Sequence, residues 1–395
     1  MIPVELSLLE PLGRLTARPW ADEVTGLQID SRRIEEGDLF VAVSGGEDFT
    51  AHALARGAAA VLVPEEPHAA LATVAGTVRD RSTARVVAIT GSTGKTTTKD
   101  ILAALCAPHL RTVASEANYN NELGVPLTLG RIDADTELCI VEMGMRGLGQ
   151  IAWLASFAKP DIALITNVGP VHLELVETIE NVARAKAELV DALPPGGIAV
   201  VPNEPLLEPY LTRTDIFMQR VDPNLELPFS TNYTSQHQLE NTRTALVVLA
   251  CLDLPFPEGE LEVEFSKLRE EERELPDGGL LLNDCYNANP VSMRAALLHL
   301  VERAGAHRRV AVLGEMAELG QSAPAYHEEI GELVRELGVH VIAVGEQARA
   351  YGGEWVPTAA EAAERLRAEL RPGDAVLVKG SRSVGLEVVA ENLTA

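Results

Sequence analysis

Cysteine is scarce in this chain of 395 residues: only Cys106, Cys139, Cys251 and Cys285 occur, and no two stand at C-x-x-C spacing. That excludes a disulfide framework and a cysteine-built zinc site. No run of about 18 apolar residues is present. The start, Met1-Ile-Pro-Val-Glu-Leu-Ser7, lacks the charged segment and apolar run of a secretory leader. A cytoplasmic protein without membrane insertion is therefore expected. Positive charge is also in short supply, with 33 Lys and Arg against 58 Asp and Glu and a formal net charge of −25. Such a chain repels nucleic acid and anionic membranes, so an anionic substrate must be held by loops, helix ends, metal ions and a few placed cations. Lysine is the rarer cation, confined to Lys95, Lys99, Lys159, Lys186, Lys267 and Lys379. A lysine kept where arginine is otherwise preferred is a candidate for chemistry a guanidinium cannot do. No G-x-G-x-x-G fingerprint and no internal repeat stand out, so dinucleotide binding is not indicated.

What the chain does have is Ala88-Ile-Thr-Gly91-Ser92-Thr93-Gly94-Lys95-Thr96-Thr97-Thr98. Apolar, β-branched Val86 and Val87 precede it, and Ile101, Leu102 and Leu105 follow at helical spacing. A glycine-rich turn alone need bind nothing. Between a strand and a helix, and carrying Lys and Thr, it is a phosphate cradle. Its backbone N–H groups and the helix N-terminus face the anion, Lys95 reaches the outer phosphates, and the Thr96 hydroxyl takes Mg²⁺. The spacing G-x-x-G-K-T is shorter than the standard form. It reads as an ATP site.

The length suits two or three domains, and the pattern predicts an α/β protein of three. Residues 1–83 read as a small α/β unit with strands at Leu39–Val43 and Ala60–Val63 and a helix around Ala51–Arg56. Its Asp30-Ser31-Arg32 precedes a strand and is an ordinary turn or a hydrogen-bonding site for a nucleotide. Residues 84–270 alternate strand and helix, as a parallel sheet with crossover helices does. One buried strand ends at Glu142 and another runs through Thr166 and Asn167 to His172. Singly these are a capping carboxylate and a turn histidine. Ligands of open α/β sheets sit beyond the carboxyl ends of the strands, where Lys95, Thr96, Glu142 and His172 all fall. In the helix Ile179–Val190, Lys186 borders the apolar face. Residues 202–236 read as loop or small strands, His237 opens a helix to Leu252, and 254–259 with the charged run Lys267–Glu274 reads as a linker. Residues 271–395 repeat strand, polar turn and helix, a Rossmann-like domain without the dinucleotide fingerprint.

By these stretches the chain resembles the ATP-dependent Mur ligases of peptidoglycan synthesis over nearly its whole length. The residues that carry the resemblance are the Gly91–Thr97 loop, Asn118-Tyr-Asn120-Asn121-Glu-Leu-Gly124, Glu142-Met-Gly144, Thr166–Glu174 and Ala185-Lys186. Asp284-Cys-Tyr286-Asn287-Ala-Asn289-Pro290, Val312–Gly320 and Lys379-Gly-Ser381-Arg382 resemble the branch that joins D-alanyl-D-alanine to a UDP-N-acetylmuramoyl-tripeptide. The resemblance implies an acyl-phosphate route. ATP phosphorylates the tripeptide carboxylate, the dipeptide amine attacks, and phosphate leaves. It implies UDP binding by the first domain at Ser31 and Arg32. ATP would be bound by the second domain, with Gln238, Asn241 and Arg269 in support and Asp284, Asn287 and Asn289 contributed by the third. Asn118, Asn120, Asn121, Tyr286, Lys379, Ser381 and Arg382 would then meet the peptide substrates. Two Mg²⁺ ions are implied, held by Thr96, Glu142, His172 and Lys186.

An ammonium beside two Mg²⁺ ions would be repelled. In similar ligases the matching lysine is carbamylated by CO₂, and the same is expected of Lys186. Gln238 stands where relatives carry Asn, and Leu268-Arg269 where they carry Gly-Arg. A monomer is expected. Other readings include a ligase adding a single amino acid to a shorter precursor, one extending folate with glutamate, and a P-loop kinase or switch. The first two fit Tyr286–Pro290 poorly. The last leaves His172, Lys186 and the C-terminal stretches without a purpose, and a binding protein without catalysis leaves Lys95, Thr96 and Glu142 equally idle.

Overall fold

A computed structural model of the chain describes residues 1–275 and 278–394. Pro276, Asp277 and Ala395, which fall in the expected C-terminal domain, lie outside the described residues. The apolar strands of the middle region assemble into one six-stranded parallel sheet. Its order is Phe217–Arg220, Ile198–Val201, Ile162–Ile165, Arg85–Thr90, Leu138–Glu142, Thr112–Ala114. Alternation sends Val87 and Ile89 to one face, under the helices Lys95–Cys106 and Gln236–Cys251. Val86 and Ala88 go to the other, under Gln150–Ala158 and Ile179–Asp191. Both faces are covered, which is why these strands read as continuous apolar runs.

Register decides function here. Glu142 pairs with Ile89, and Ile165 with Thr90. The loop from Gly91, the carboxylate of Glu142 and the loop from Thr166 to His172 therefore leave the sheet at one edge.

The C-terminal sheet has the order Glu271–Leu275, Gly279–Asn283, Ala375–Lys379, Arg309–Gly314, His340–Val344, Glu354–Val356, parallel except for the first strand. Asn283 pairs with Val378, and Leu313 with Lys379, so the loops 284–289, 315–319 and 380–382 also emerge together. The N-terminal sheet has four strands, Gly13–Ala17, Ala60–Pro64, Asp38–Val41 and Gly26–Gln28. Its Leu27, Leu39 and Leu62 share one apolar cluster with Val86 and Ala88 of the middle sheet and Val125 of the helix Gly124–Leu129. The C-terminal sheet instead builds two cores of its own.

Phe217–Arg220, in the stretch read as loop or small strands, is a short strand that extends the middle sheet at its edge. One segment differs from expectation. The end of the expected charged linker, Glu271–Leu275, is an antiparallel edge strand on Gly279–Asn283. An edge strand tolerates charge because only part of it is covered. Here only Leu275 is buried, so no apolar alternation marked it.

Candidate active site

The phosphate loop is shaped by what it excludes. Gly94 has φ +75°, and a Cβ there would lie 2.5 Å from Asn241 Oδ1; Gly91 is closed in by Thr166 Oγ1, which a Cβ would meet at 1.8 Å. The neighbouring strand end then pins the loop. Thr93 N–H donates to Asn167 Oδ1 at 2.9 Å, Thr166 Oγ1 donates to the Thr93 carbonyl at 2.6 Å, and Gly169 N–H donates to Ser92 Oγ at 2.8 Å. Lys95 Nζ folds back to the Gly91 carbonyl at 2.6 Å. Burial, opposed by Glu142 and assisted by Arg269, pushes its ammonium below the usual lysine range.

Glu142 is fully buried. Thr96 Oγ1 donates to its Oε2 at 2.8 Å and Asn120 Nδ2 to its Oε1 at 2.7 Å, so both carboxylate oxygens are aimed. A second layer holds this arrangement. Glu142 N–H donates to Ser115 Oγ at 3.0 Å, and buried Lys99 donates to the Ser115 carbonyl at 2.8 Å. Asn121 is used locally, its Oδ1 accepting from the N–H groups of Leu123 and Gly124.

Lys186 is 2 % exposed and has no hydrogen-bonding or ionic partner among the described residues. Burial, reinforced by the charge of Lys95, drives its pKa well below the usual lysine value and favours the neutral amine. His172 Nδ1 is hydrogen-bonded to Glu318, on the loop 315–319 of the C-terminal domain. Burial lowers the imidazole pKa, with Glu318 opposing and Lys95 and Lys186 assisting.

Among the described residues no three His, Cys, Asp or Glu side chains cluster to hold a metal. A cation here would depend on the Thr96 hydroxyl, the Glu142 carboxylate, His172, phosphate oxygens and a modified Lys186. Hydroxyl, carboxylate and phosphate are the hard oxygen donors Mg²⁺ takes, and an unpartnered neutral amine is the species that adds CO₂, so the residues fit.

Across the gap stands the edge of the C-terminal sheet. The Arg269 guanidinium lies over the Tyr286 ring, 4.2 Å from its centroid, and Asn118 hydrogen-bonds the phenol, whose pKa burial raises. Lys379, 1 % exposed, directs its ammonium to the Asp284 carboxylate and, at 3.0 Å, to the Asn287 carbonyl. Its donors are spent on the loop, so it acts as a brace. Ser381 Oγ accepts from Ala317 N–H at 2.8 Å, and Asn289 caps the helix Pro290–Ala304. Both shape the loops that carry Arg382, Asp284 and Asn287.

One cavity of about 1190 Å³ joins the two edges and is lined by nearly every residue named from the sequence, from Gly91–Thr97 to Arg382. Three stand apart. Ser31 and Arg32 lie in the N-terminal domain, where Ser31 Oγ meets His52 Nδ1 at 2.9 Å and Arg32 is held by Asp30. Gln238, expected at the adenine, is buried away from the cavity. The helix starts at Gln236, so His237, Glu240 and Asn241 share the facing side and Gln238 does not.

Among the lining residues that the sequence reading did not single out, four stand out. His237 Nε2, Glu270 Oε2 and His299 Nδ1 are buried without hydrogen-bond partners among the described residues. Burial and Asp284 hold the Glu270 carboxyl above the usual range. Unpaired buried polar atoms in a cavity are what a polar ligand would satisfy. Glu318 is the fourth, and only a fold that brings residues 172 and 318 together could reveal it.

Residues 89–214 match the Mur ligase middle domain and residues 269–382 the Mur ligase, glutamate ligase domain. A UDP-N-acetylmuramoyl-tripeptide–D-alanyl-D-alanine ligase of Synechocystis sp. is 34 % identical over 426 residues, covering 94 % of this chain and 92 % of that protein. The crystal structure of MurF from Acinetobacter baumannii superposes with a TM-score of 0.86 at 25 % identity, over 99 % of this chain and 98 % of that one. That of MurF ligase from Thermotoga maritima in complex with ADP gives 0.80 at 27 % identity, over 94 % and 97 %. Among the described residues no helix is long and apolar enough to cross a membrane.

Proposed function

The chain belongs to the Mur ligase family, and on that premise we propose that it uses ATP to join D-alanyl-D-alanine to the tripeptide carboxylate of UDP-N-acetylmuramoyl-tripeptide. The observation that carries this reading is the single cavity where the carboxyl edges of two sheets meet. One edge has the equipment for phosphoryl transfer, and the other has the loops whose sequence marks the dipeptide-adding branch. That pairing also disfavours a simple P-loop switch, which needs no second edge.

Residues 84–270 bind ATP. The Ser92–Thr97 backbone and the helix N-terminus receive the phosphates, and Lys95 exchanges the Gly91 carbonyl for phosphate oxygen. His237 and Asn241 stand on the nucleoside side, with Glu270 and His299 beside them. Thr96, Glu142, His172 and a carbamylated Lys186 hold Mg²⁺, whose contribution is to neutralise charge on the transferring phosphoryl group. The chain's own residues do the rest. Arg269, stacked on Tyr286, offers a cation to the reacting oxygens, and the bonded loops of the C-terminal edge orient the incoming dipeptide through Asn287 and Arg382. Residues 1–83 hold the UDP end at Ser31 and Arg32, outside the reacting cavity.

The test is ATP-dependent phosphate release with UDP-N-acetylmuramoyl-tripeptide, with and without D-alanyl-D-alanine, and product mass as the second readout. Release that needs both substrates, with a product heavier by the dipeptide less water, is expected. Release supported by a single amino acid would move the chain to an earlier ligase step.

A further inference from the structure

We propose that Glu318 is an interdomain positioning residue: carried on the C-terminal domain, it orients the His172 imidazole of the middle domain, so the phosphoryl-transfer edge is complete only when the two domains are docked. This rests on the reading of His172 as a working group of that edge.

The contact is built from both sides. The Glu318 carboxylate is bonded to His172 Nδ1, and its other oxygen lies 3.6 Å from Arg146 Nε. The Glu318 carbonyl accepts from Glu174 N–H at 3.2 Å. Two residues on, Gly320 packs so closely that a Cβ would come within 3.0 Å of Glu174 Cα. Both members of the pair have left-handed backbones although neither is glycine, His172 at φ +54° and Glu318 at φ +63°. Non-glycine residues keep such conformations only where their surroundings over-determine them, and they gather at functional sites.

An ionised carboxylate can only accept, so the Nδ1 that meets it carries the proton and Nε2 carries the lone pair. Glu318 thereby fixes both ring orientation and tautomer, as carboxylate partners of working histidines do. The geometry makes this conditional. The N-terminal and middle sheets share one core, whereas the C-terminal sheet has separate cores. The connection between them carries left-handed Leu268 and Glu270 on either side of Arg269. Were the C-terminal domain to separate from the middle one, Glu318 would leave with it and the imidazole would lose its tether.

The experiment compares Glu318→Ala, Glu318→Gln and His172→Ala with the wild-type chain in the full ligase assay. Nitrogen-15 histidine NMR of the metal-free protein reads the His172 tautomer. Glu318→Ala is expected to lose about 10–100-fold in kcat, with the KM for ATP nearly unchanged and Nδ1 protonation of His172 lost. Glu318→Gln, whose amide oxygen still accepts from Nδ1–H, should recover most of the rate and the tautomer. Wild-type kcat and tautomer in Glu318→Ala would overturn the proposal, as would a loss in Glu318→Gln equal to that in Glu318→Ala. If His172→Ala is inactive while Glu318→Ala is normal, the positioning role alone fails. A fully active His172→Ala removes the underlying reading of His172 as well.

Discussion

Replacing Lys186 by Met separates what the side chain costs the fold from what it supplies to the reaction. Lys186 is 2 % exposed, has no partner among the described residues, and feels the like charge of Lys95. A buried polar group without a hydrogen bond costs about 1–3 kcal/mol, while a swap of similar volume in a packed site costs less than about 1.5 kcal/mol. In metal-free, CO₂-free buffer at neutral pH, Lys186→Met should therefore be more stable than wild type, by about 1–2 kcal/mol. The sign with pH follows from linkage. The folded pKa lies below the unfolded one, so between the two the unfolded chain binds more protons and wild-type stability rises with pH. The penalty is fully present below the folded pKa, and the variant's advantage shrinks as pH rises through it towards the unfolded value. Ligation should move the opposite way, with phosphate release falling about a hundredfold or more for want of the charge-stabilising group. Urea titrations of both proteins at several pH values, beside phosphate release, give the two readouts. Carbon-13 bicarbonate should give a carbamate resonance in wild type that Lys186→Met lacks. A variant that ligates at the wild-type rate, or that is less stable at acid pH, refutes the reasoning.

Other perturbations reach the remaining parts of the site. Gly94→Ala forces a Cβ into the left-handed region and against Asn241 Oδ1; a backbone penalty of about 1–2 kcal/mol and weaker ATP binding by calorimetry are expected, and unchanged affinity would show that the loop tolerates a side chain. Lys379→Met strands the Asp284 carboxylate in a buried pair, which should destabilise the C-terminal domain by about 3–5 kcal/mol in thermal unfolding. His237→Ala should raise the KM for ATP severalfold and Gln238→Asn should not, because only the former lines the cavity. The reverse result would place the nucleoside on the other face of that helix.

How far the sequence could be read depended on how local each signal was. The phosphate loop was legible because its constraints sit within seven residues, and the structure adds only the strand end that pins it. Glu142 was legible as a strand end and His172 as a residue of the loop beyond one, since a fully covered parallel strand announces itself by an unbroken apolar run and its terminus marks the ligand edge. Lys186 was legible by contrast with a lysine-poor surface. The partners that tune these groups were not. Ser115 and Lys99 act on Glu142 through backbone and hydroxyl contacts that any loop might make, and Lys379 reads as a ligand until its donors are seen spent on Asp284 and Asn287. Gln238 shows the opposite error, a residue chosen by its place in a motif and turned away by one step of helix phase. Glu318 lies 146 positions from the imidazole it meets, on a loop of a different domain. No periodicity, cap or turn preference links them, because the link is made across two domains whose buried cores are separate. Chemistry held within a single loop is written locally in the chain. Chemistry that depends on two domains meeting is written only in the surfaces that meet, and no local pattern in the chain spells those out.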